Sequence, residues 1–334
     1  MAEHLEGDSI AAVLDAAQQA GGTWFVGGSF DPLDARAEWW APFGAARAWR
    51  PAEVLSVQDV PARGPAPPTR STPHPAPALG MHPNRDAWKA LVDRVVTDIG
   101  RGDFDKVVLA RTIAEAADTD ALTWLHGDRG DREMAFLYEP APGLAFAGRT
   151  PELLFDRQGT TVHSEALAGT DLDSPAGRER LLASDKDARE HALVVDAVSS
   201  ALASVCTSVE PSGLQLAVAG RLVHRLVSFV GQLRQPVRDA RLAEHLHPTP
   251  AVAGTPRRDA VAFLREHEPF DRGWYAGPVG LIEPGRTTLS VALRCALWSG
   301  QTRIAFAGAG LVAGSNAQTE WDETELKSLA VRRR

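Results

Sequence analysis

Apolar residues recur along this chain with two periods. Trp88, Leu91, Val92, Val95, Val96 and Ile99 fall at i, i+3, i+4, i+7, i+8 and i+11, one face of a helix, and Gly100 and Gly102 follow as stop signals. The same spacing predicts a short helix over 10–20, ended by Gly21-Gly22, and another over 184–196 that sets Asp187, Glu190, His191 and Val194 on one face. Short apolar runs predict strands at 23–26, 104–111, 134–138, 144–147, 152–155, 160–163, 214–217, 222–230 and 304–307. Runs of strands broken by a few long helices predict an α+β fold with large, mostly antiparallel sheets.

The pattern lapses between Pro61 and Pro83, where prolines recur without apolar periodicity and an exposed connection is expected. Order resumes at Asn84. The expected organisation is an N-terminal part of the fold over 1–60, a proline-rich connection over 61–83 and the main domain over 84–330. Trp39, Trp40 and Trp49 are expected to pack the N-terminal part against the rest.

Composition narrows the function classes. With 334 residues, 44% of them hydrophobic, the chain can bury a large core, as one domain or two intimately packed lobes. Thirty-five basic against 43 acidic residues give −8, which argues against a nucleic-acid or anionic-membrane partner. Cys206 and Cys295 are too few for a disulfide framework. No basic-then-apolar leader opens the sequence and no apolar run approaches membrane-spanning length, so a reducing cytoplasm is the expected setting. Dinucleotide, Walker and Cys-x-x-Cys signatures are lacking.

Candidate chemistry concentrates in two helices. Over 303–327 a strand is expected to lead into a loop of small residues, Gly308, Ala309 and Gly310, whose backbone N–H groups suit an anion, and then into a helix. On that helix Glu320, Glu323 and Lys327 share a face. An isolated acidic helix face is usually just solvated, but Asp187 and Glu190 repeat the device on the 184–196 helix. Two acid pairs brought together repel unless a cation lies between them, and oxygen-only ligands favour Mg2+ over zinc. Lys106 aligns with Phe104, Val108 and Ala110 on one side of its strand. Partial burial would favour its neutral form, while a lysine snorkelling at a strand edge fits this stretch equally well.

Eight ordered blocks then carry a resemblance: 104–111 (FDKVVLAR), 146–154 (FAGRTPELL), 167–170 (LAGT), 186–191 (KDAREH), 247–254 (HPTPAVAG), 272–280 (RGWYAGPVG), 291–295 (VALRC) and 303–327. Together they resemble the chorismate-utilising enzymes, a family of isochorismate, salicylate, anthranilate and aminodeoxychorismate synthases, from about Asn84 to Lys327. The resemblance implies two large antiparallel sheets packed face to face with helices outside and the site in a cleft between them. It implies that Glu190 and Glu323 hold Mg2+ against the ring carboxylate of chorismate, with Asp187 and Glu320 ligating directly or through water. Tyr275, Arg294, Lys327 and the backbone at Gly169-Thr170 and Gly308–Gly310 would bind the carboxylates, arginine's planar fork being suited to that task. His224 corresponds to a family histidine near the ring, and a buried structural histidine fits as well.

Lys106 with Ala168 resembles the water-adding members of the family, since ammonia-adding members usually carry glutamine at the first position and aminodeoxychorismate synthases a lysine at the second. The implied reaction converts chorismate to isochorismate, with Lys106 as general base on water at C2 and Glu152 protonating the departing C4 hydroxyl. Continued loss of pyruvate to give salicylate is the nearest alternative, and a non-catalytic chorismate- or metal-binding protein a more distant one. A monomer with no glutaminase subunit is expected. Asp171, where an arginine is usual, Arg225, where a leucine is usual, and a short region before Asn84 depart from the family pattern.

Overall fold

The apolar stripe from Trp88 to Ile99 folds into a longer helix, Arg85–Arg101, because caps outside the stripe set its ends. The Asn84 side chain accepts from the Ala87 amide at 2.9 Å, and Gly102, at φ +84°, closes the other end. The computed structural model describes residues 3–33, 38–51, 81–126, 132–235 and 237–332. Most of the expected 61–83 connection lies outside the described residues.

The helices are α1 (Ile10–Ala20), α2 (Arg85–Arg101), α3 (Ala121–Leu125), α4 (Pro175–Ala183), α5 (Asp185–Val205), α6 (Asp239–Leu246), α7 (Arg257–His267) and α8 (Ala317–Arg332). The first strands are β1 (His4–Gly7), β2 (Trp24–Gly28), β3 (Ala46–Trp49), β4 (Met81–His82), β5 (Lys106–Ala116) and β6 (Met134–Ala141). Next come β7 (Leu144–Thr150), β8 (Leu153–Gln158), β9 (Thr161–Leu172), β10 (Cys206–Pro211), β11 (Gln215–Ala219) and β12 (Leu222–Leu233). The last are β13 (Gly254–Thr255), β14 (Pro278–Glu283), β15 (Arg286–Val291), β16 (Cys295–Ser299) and β17 (Thr302–Leu311).

Two antiparallel sheets result, as the strand runs predict. The ten-stranded sheet runs β1-β3-β2-β14-β15-β8-β9-β12-β10, with β11 also on β12, and the seven-stranded sheet runs β13-β5-β17-β16-β7-β6, with β4 on β5. Residues of both sheets, among them Phe155, Phe229 and Leu289 of the larger and Leu109, Phe146 and Phe306 of the smaller, join one buried apolar cluster. Helix α5 packs on β9, β10 and β12 of the larger sheet, whereas α8 packs on β17 and β5 of the smaller.

The N-terminal strands extend the larger sheet through β2 and β14, where Gly27 pairs with Val279. A Cβ on Gly27 would lie 2.1 Å from the Trp274 ring, so only glycine lets that indole cross the strand. Trp40 and Trp49 pack into an aromatic seam with Phe43, Tyr138, Phe146 and Trp274, and Trp39 packs half-buried beside them, as expected. Strand β5 departs from the one-sided alternation expected of it: from Lys106 to Ile113 every residue is buried, because the strand is covered on both faces.

Candidate active site

Helix α5 starts at Ser184, whose hydroxyl accepts from the Asp187 amide at 3.1 Å, and its first turns put Glu190 and His191 inside. Helix α8 buries Glu320 completely and leaves Glu323 and Lys327 half-buried beside it. The two helices belong to different sheets and meet through charge: Lys186 Nζ on α5 lies 2.6 Å from Glu320 Oε1 on α8. Lys106 Nζ lies 2.9 Å from Glu190 Oε1, and Lys327 Nζ lies 2.5 Å from Glu323 Oε1 and donates to the Gly308 carbonyl at 2.9 Å.

The electrostatics record the crowding. Burial and then the neighbouring Glu190 and Glu323 raise the Asp187 carboxyl. Burial and Glu323, opposed by Lys186, lift Glu320 to about 7. For Glu190 burial also favours the neutral acid, but Lys106 and Lys186 outweigh it and hold its carboxyl below the ordinary value. Burial would lower the Lys186 ammonium, yet Glu320 and Glu323 raise it.

The four acids therefore face one another, but not as a closed ligand shell. Among the described residues no three His, Cys, Asp or Glu side chains converge at metal-binding distance. Lysine tips lie between the acids, and like charges approach only as far as their counterions allow. The set is oxygen-only, buried and crowded with negative charge, and this chemistry fits a hard divalent cation that takes over the lysines' countercharge.

Lys106 is 0% exposed and faces the Glu190 carboxylate, so the snorkelling alternative does not hold. Glu152 precedes β8 instead of opening it. Its backbone is fixed by the Thr150 hydroxyl and the Val291 amide, its side chain is 4% exposed, and Thr249 Oγ1 donates to Oε1 at 3.4 Å. Burial lifts this carboxyl to about 7 against the pull of Lys106, Thr249 and Arg294. At neutral pH the group can therefore both hold and give a proton.

Beside the acids the strands make the site by irregularity. On β9, Gly169 and Thr170 stand against the single His224 of β12, where the register shifts, and Gly169 has φ +71°. This is a bulge of the kind that re-aims side chains. His224 Nδ1 reaches the Gly169 carbonyl at 3.0 Å and Thr170 Oγ1 at 3.1 Å. A carbonyl can only accept, so Nδ1 carries the hydrogen and Nε2 offers its lone pair to Arg294 Nη2 at 3.2 Å. Burial and then Arg294 push the histidine well down, which keeps it neutral. Arg294 itself sits at φ +48° in the connection between β15 and β16, strain that favours a constrained role. Tyr275 stacks on Phe306 at 5.1 Å between ring centroids.

Gly308, Ala309 and Gly310 are not a loop: they lie in β17, paired with Ala110, Leu109 and Val108. Their smallness serves close approach instead of a turn. A Cβ on Gly310 would lie 2.1 Å from Glu190 Oε1 and 2.9 Å from Lys106 Cε, and one on Gly308 would lie 3.0 Å from the Tyr275 hydroxyl. Along β17, strand β16 reaches only 302–305, so among the described residues the second edge of 306–311 has no strand on it, and there the Gly308 carbonyl accepts from Lys327. These contacts bring Lys106, Glu152, Glu190, Tyr275 and Arg294 into one region with the strand carrying Gly308 and Gly310, while lysines stand between the acids of the two helices.

Two members of that region escaped sequence reasoning. Lys186 reads as an exposed first-turn lysine, and only its helix's acid partners hint otherwise. Thr249 lies between two prolines, and its aim at Glu152 depends on a fold that periodicity does not encode.

The family described as "Chorismate binding enzyme" matches residues 64–333. A chloroplastic isochorismate synthase of Catharanthus roseus is 38% identical over 261 residues, 74% of this chain and 45% of its own length. Isochorismate synthase MenF of Bacillus subtilis is 36% identical over 256 residues, 73% of this chain and 54% of its own. The chain thus spans about half the length of these curated relatives. A crystal structure of a putative 2,3-dihydroxybenzoate-specific isochorismate synthase, DhbC from Bacillus anthracis, superposes with a TM-score of 0.78 at 27% identity, over 98% of this chain and 90% of that one. With the two sheets, the facing acid helices and the matched span all in agreement, the chain belongs to the chorismate-binding enzyme family.

Proposed function

We propose that the protein converts chorismate to isochorismate. The observation that carries the reading is Glu152, a buried carboxyl lifted to about 7 in the same enclosed site as the buried Lys106. In this scheme Lys106 takes a proton from the water that bonds to C2, the ring double bonds shift, and Glu152 gives a proton to the C4 hydroxyl, which leaves as water. Turnover requires the Lys106 amine to come free of Glu190, because its lone pair is what accepts the proton. Arg294, Tyr275, Lys327 and the backbone of Gly169-Thr170 and Gly308–Gly310 would bind and orient the carboxylates, with His224 aligning Arg294. Mg2+, held by Glu190 and Glu323 with Asp187 and Glu320, would neutralise and orient the ring carboxylate.

The remaining parts of the reading follow from it. Residues 84–330 supply every named group, 1–60 complete the fold and 61–83 connect them. The enzyme acts in the cytoplasm, as a monomer and without a glutaminase partner; among the described residues no helix is long and apolar enough to cross a membrane. Incubating the purified protein with chorismate and Mg2+ should give isochorismate approaching a reversible equilibrium, and ammonium salts should give no aminated product. Salicylate and pyruvate in equal amounts from the first turnover would replace this reading with that of a salicylate synthase, for pyruvate loss demands a folded side-chain geometry that water addition does not.

A further inference from the structure

The outer edge of β5 is covered in an unusual way. At its start β13 pairs with it, Thr255 opposite Lys106 and Gly254 opposite Val107, and the Val108 amide donates to the Ala253 carbonyl at 2.8 Å. Farther on, β4 pairs at Thr112 and Ile113. Between these two short partners, two side chains take the place of a strand. Glu268 Oε1 accepts from the Ala110 amide at 2.8 Å, and Arg272 Nη2 donates to the Val108 carbonyl at 2.7 Å.

Both groups are 3% exposed, and they lock each other: Arg272 Nε donates to Glu268 Oε2 at 2.7 Å and Nη2 to Oε1 at 2.6 Å. The remaining arm, Nη1, donates to the Val252 carbonyl at 2.7 Å, in the turn whose Thr249 aims at Glu152. The guanidinium lies 4.4 Å over the Phe30 ring and 5.8 Å from the Tyr275 ring. One ion pair therefore touches the strand that presents Lys106, the turn that holds Glu152 and the loop that carries Tyr275.

We propose that Glu268 and Arg272 are positioning residues for the reaction, fixing these three segments relative to one another by completing the β5 edge with side chains. The inference rests on the reaction proposed above. Arginine is required because a planar fork can serve two carbonyls and a carboxylate at once, whereas lysine offers one compact charge. A displacement of about 1 Å at the reacting groups is worth roughly a hundredfold in rate.

Arg272→Lys and Glu268→Gln test this, assayed below each variant's melting temperature on the product the wild type makes. The comparison is Asp239→Asn, which removes the charge from the pair between Arg157 Nη1 and the buried Asp239 Oδ1, 2.6 Å apart, where Arg157 follows Glu152 by five residues of extended chain and so lies roughly 16 Å from it. The expected result is a kcat lower by about 30- to 100-fold in the first two variants, with KM for chorismate within about threefold, while Asp239→Asn loses thermal stability and keeps kcat within about twofold. A kcat within about threefold of wild type in whichever of Arg272→Lys and Glu268→Gln folds, or an equal loss in Asp239→Asn, overturns the positioning role. Failure of the wild type to form isochorismate would instead refute the reaction, a separate outcome.

Discussion

The two walls of the site are built by different means. One, made by α5 and α8, is a wall of charge in which Glu190, Glu320 and Glu323 each face a lysine. The other, made by β9, β12 and the connection after β15, is a wall of backbone geometry, with a bulge at Gly169, a neutral His224 and Arg294 in a left-handed conformation. The difference teaches where each wall is vulnerable. Charge can be redistributed when a cation or an anionic substrate enters, whereas a strained backbone transmits any change of side chain directly into the position of the groups it carries.

The largest expected effects are therefore on the charged wall. Glu190→Gln or Glu323→Gln should abolish measurable turnover while leaving circular dichroism unchanged, and excess EDTA should do the same to the wild type; full activity in EDTA would remove the cation from the account. Next come the groups between the walls. Lys106→Gln and Glu152→Gln should each lower turnover by roughly two to four orders of magnitude with Mg2+ affinity, read by calorimetry, retained. An effect under about tenfold would take them out of the mechanism. The smallest effect is on the geometric wall. Gly169→Ala forces a side chain into φ +71°, with its Cβ 3.1 Å from Leu181 Cδ1 and 3.2 Å from Asp187 Cβ. It should cost about 1–2 kcal/mol in thermal unfolding. Its KM for chorismate should rise more than its kcat falls, and an unchanged melting curve would mean that the bulge relaxes freely.

How much of this can be read in a sequence follows the same division. Periodicity and caps suffice for α1 and α2, and i, i+3 acid pairs on two helices suffice to bring Glu190 and Glu323 into question, because these are local regularities. The α+β class follows from the runs of strands, whereas the burial of Lys106 does not follow from alternation: its stretch fits a snorkelling edge lysine equally well, and it is the cover on both faces of β5 that buries it. Strands β10 and β15 escape because their sequences, Cys206–Pro211 and Arg286–Val291, are half polar, and β14 and β16 escape although they close local hairpins, with Glu283 opposite Arg286 and Ser299 opposite Thr302. The glycines at 308 and 310 mislead: glycine signals a loop by its freedom, yet here it marks contact with Tyr275 and Glu190. The bulge at Gly169 has no local signature, and although Glu268 and Arg272 stand at i, i+4, their place on the β5 edge exists only once two distant segments meet.

Gly310 sets a boundary on how this site can drift over generations. Every substitution there adds at least one carbon, and that first carbon would meet Glu190 Oε1 at 2.1 Å, Glu190 Cδ at 2.8 Å and Lys106 Cε at 2.9 Å. Any other residue at 310 therefore obliges the Glu190 carboxylate and the Lys106 chain to move, so the missing atom ties a change of chemistry in descendants of this chain to a rearrangement of that acid and amine.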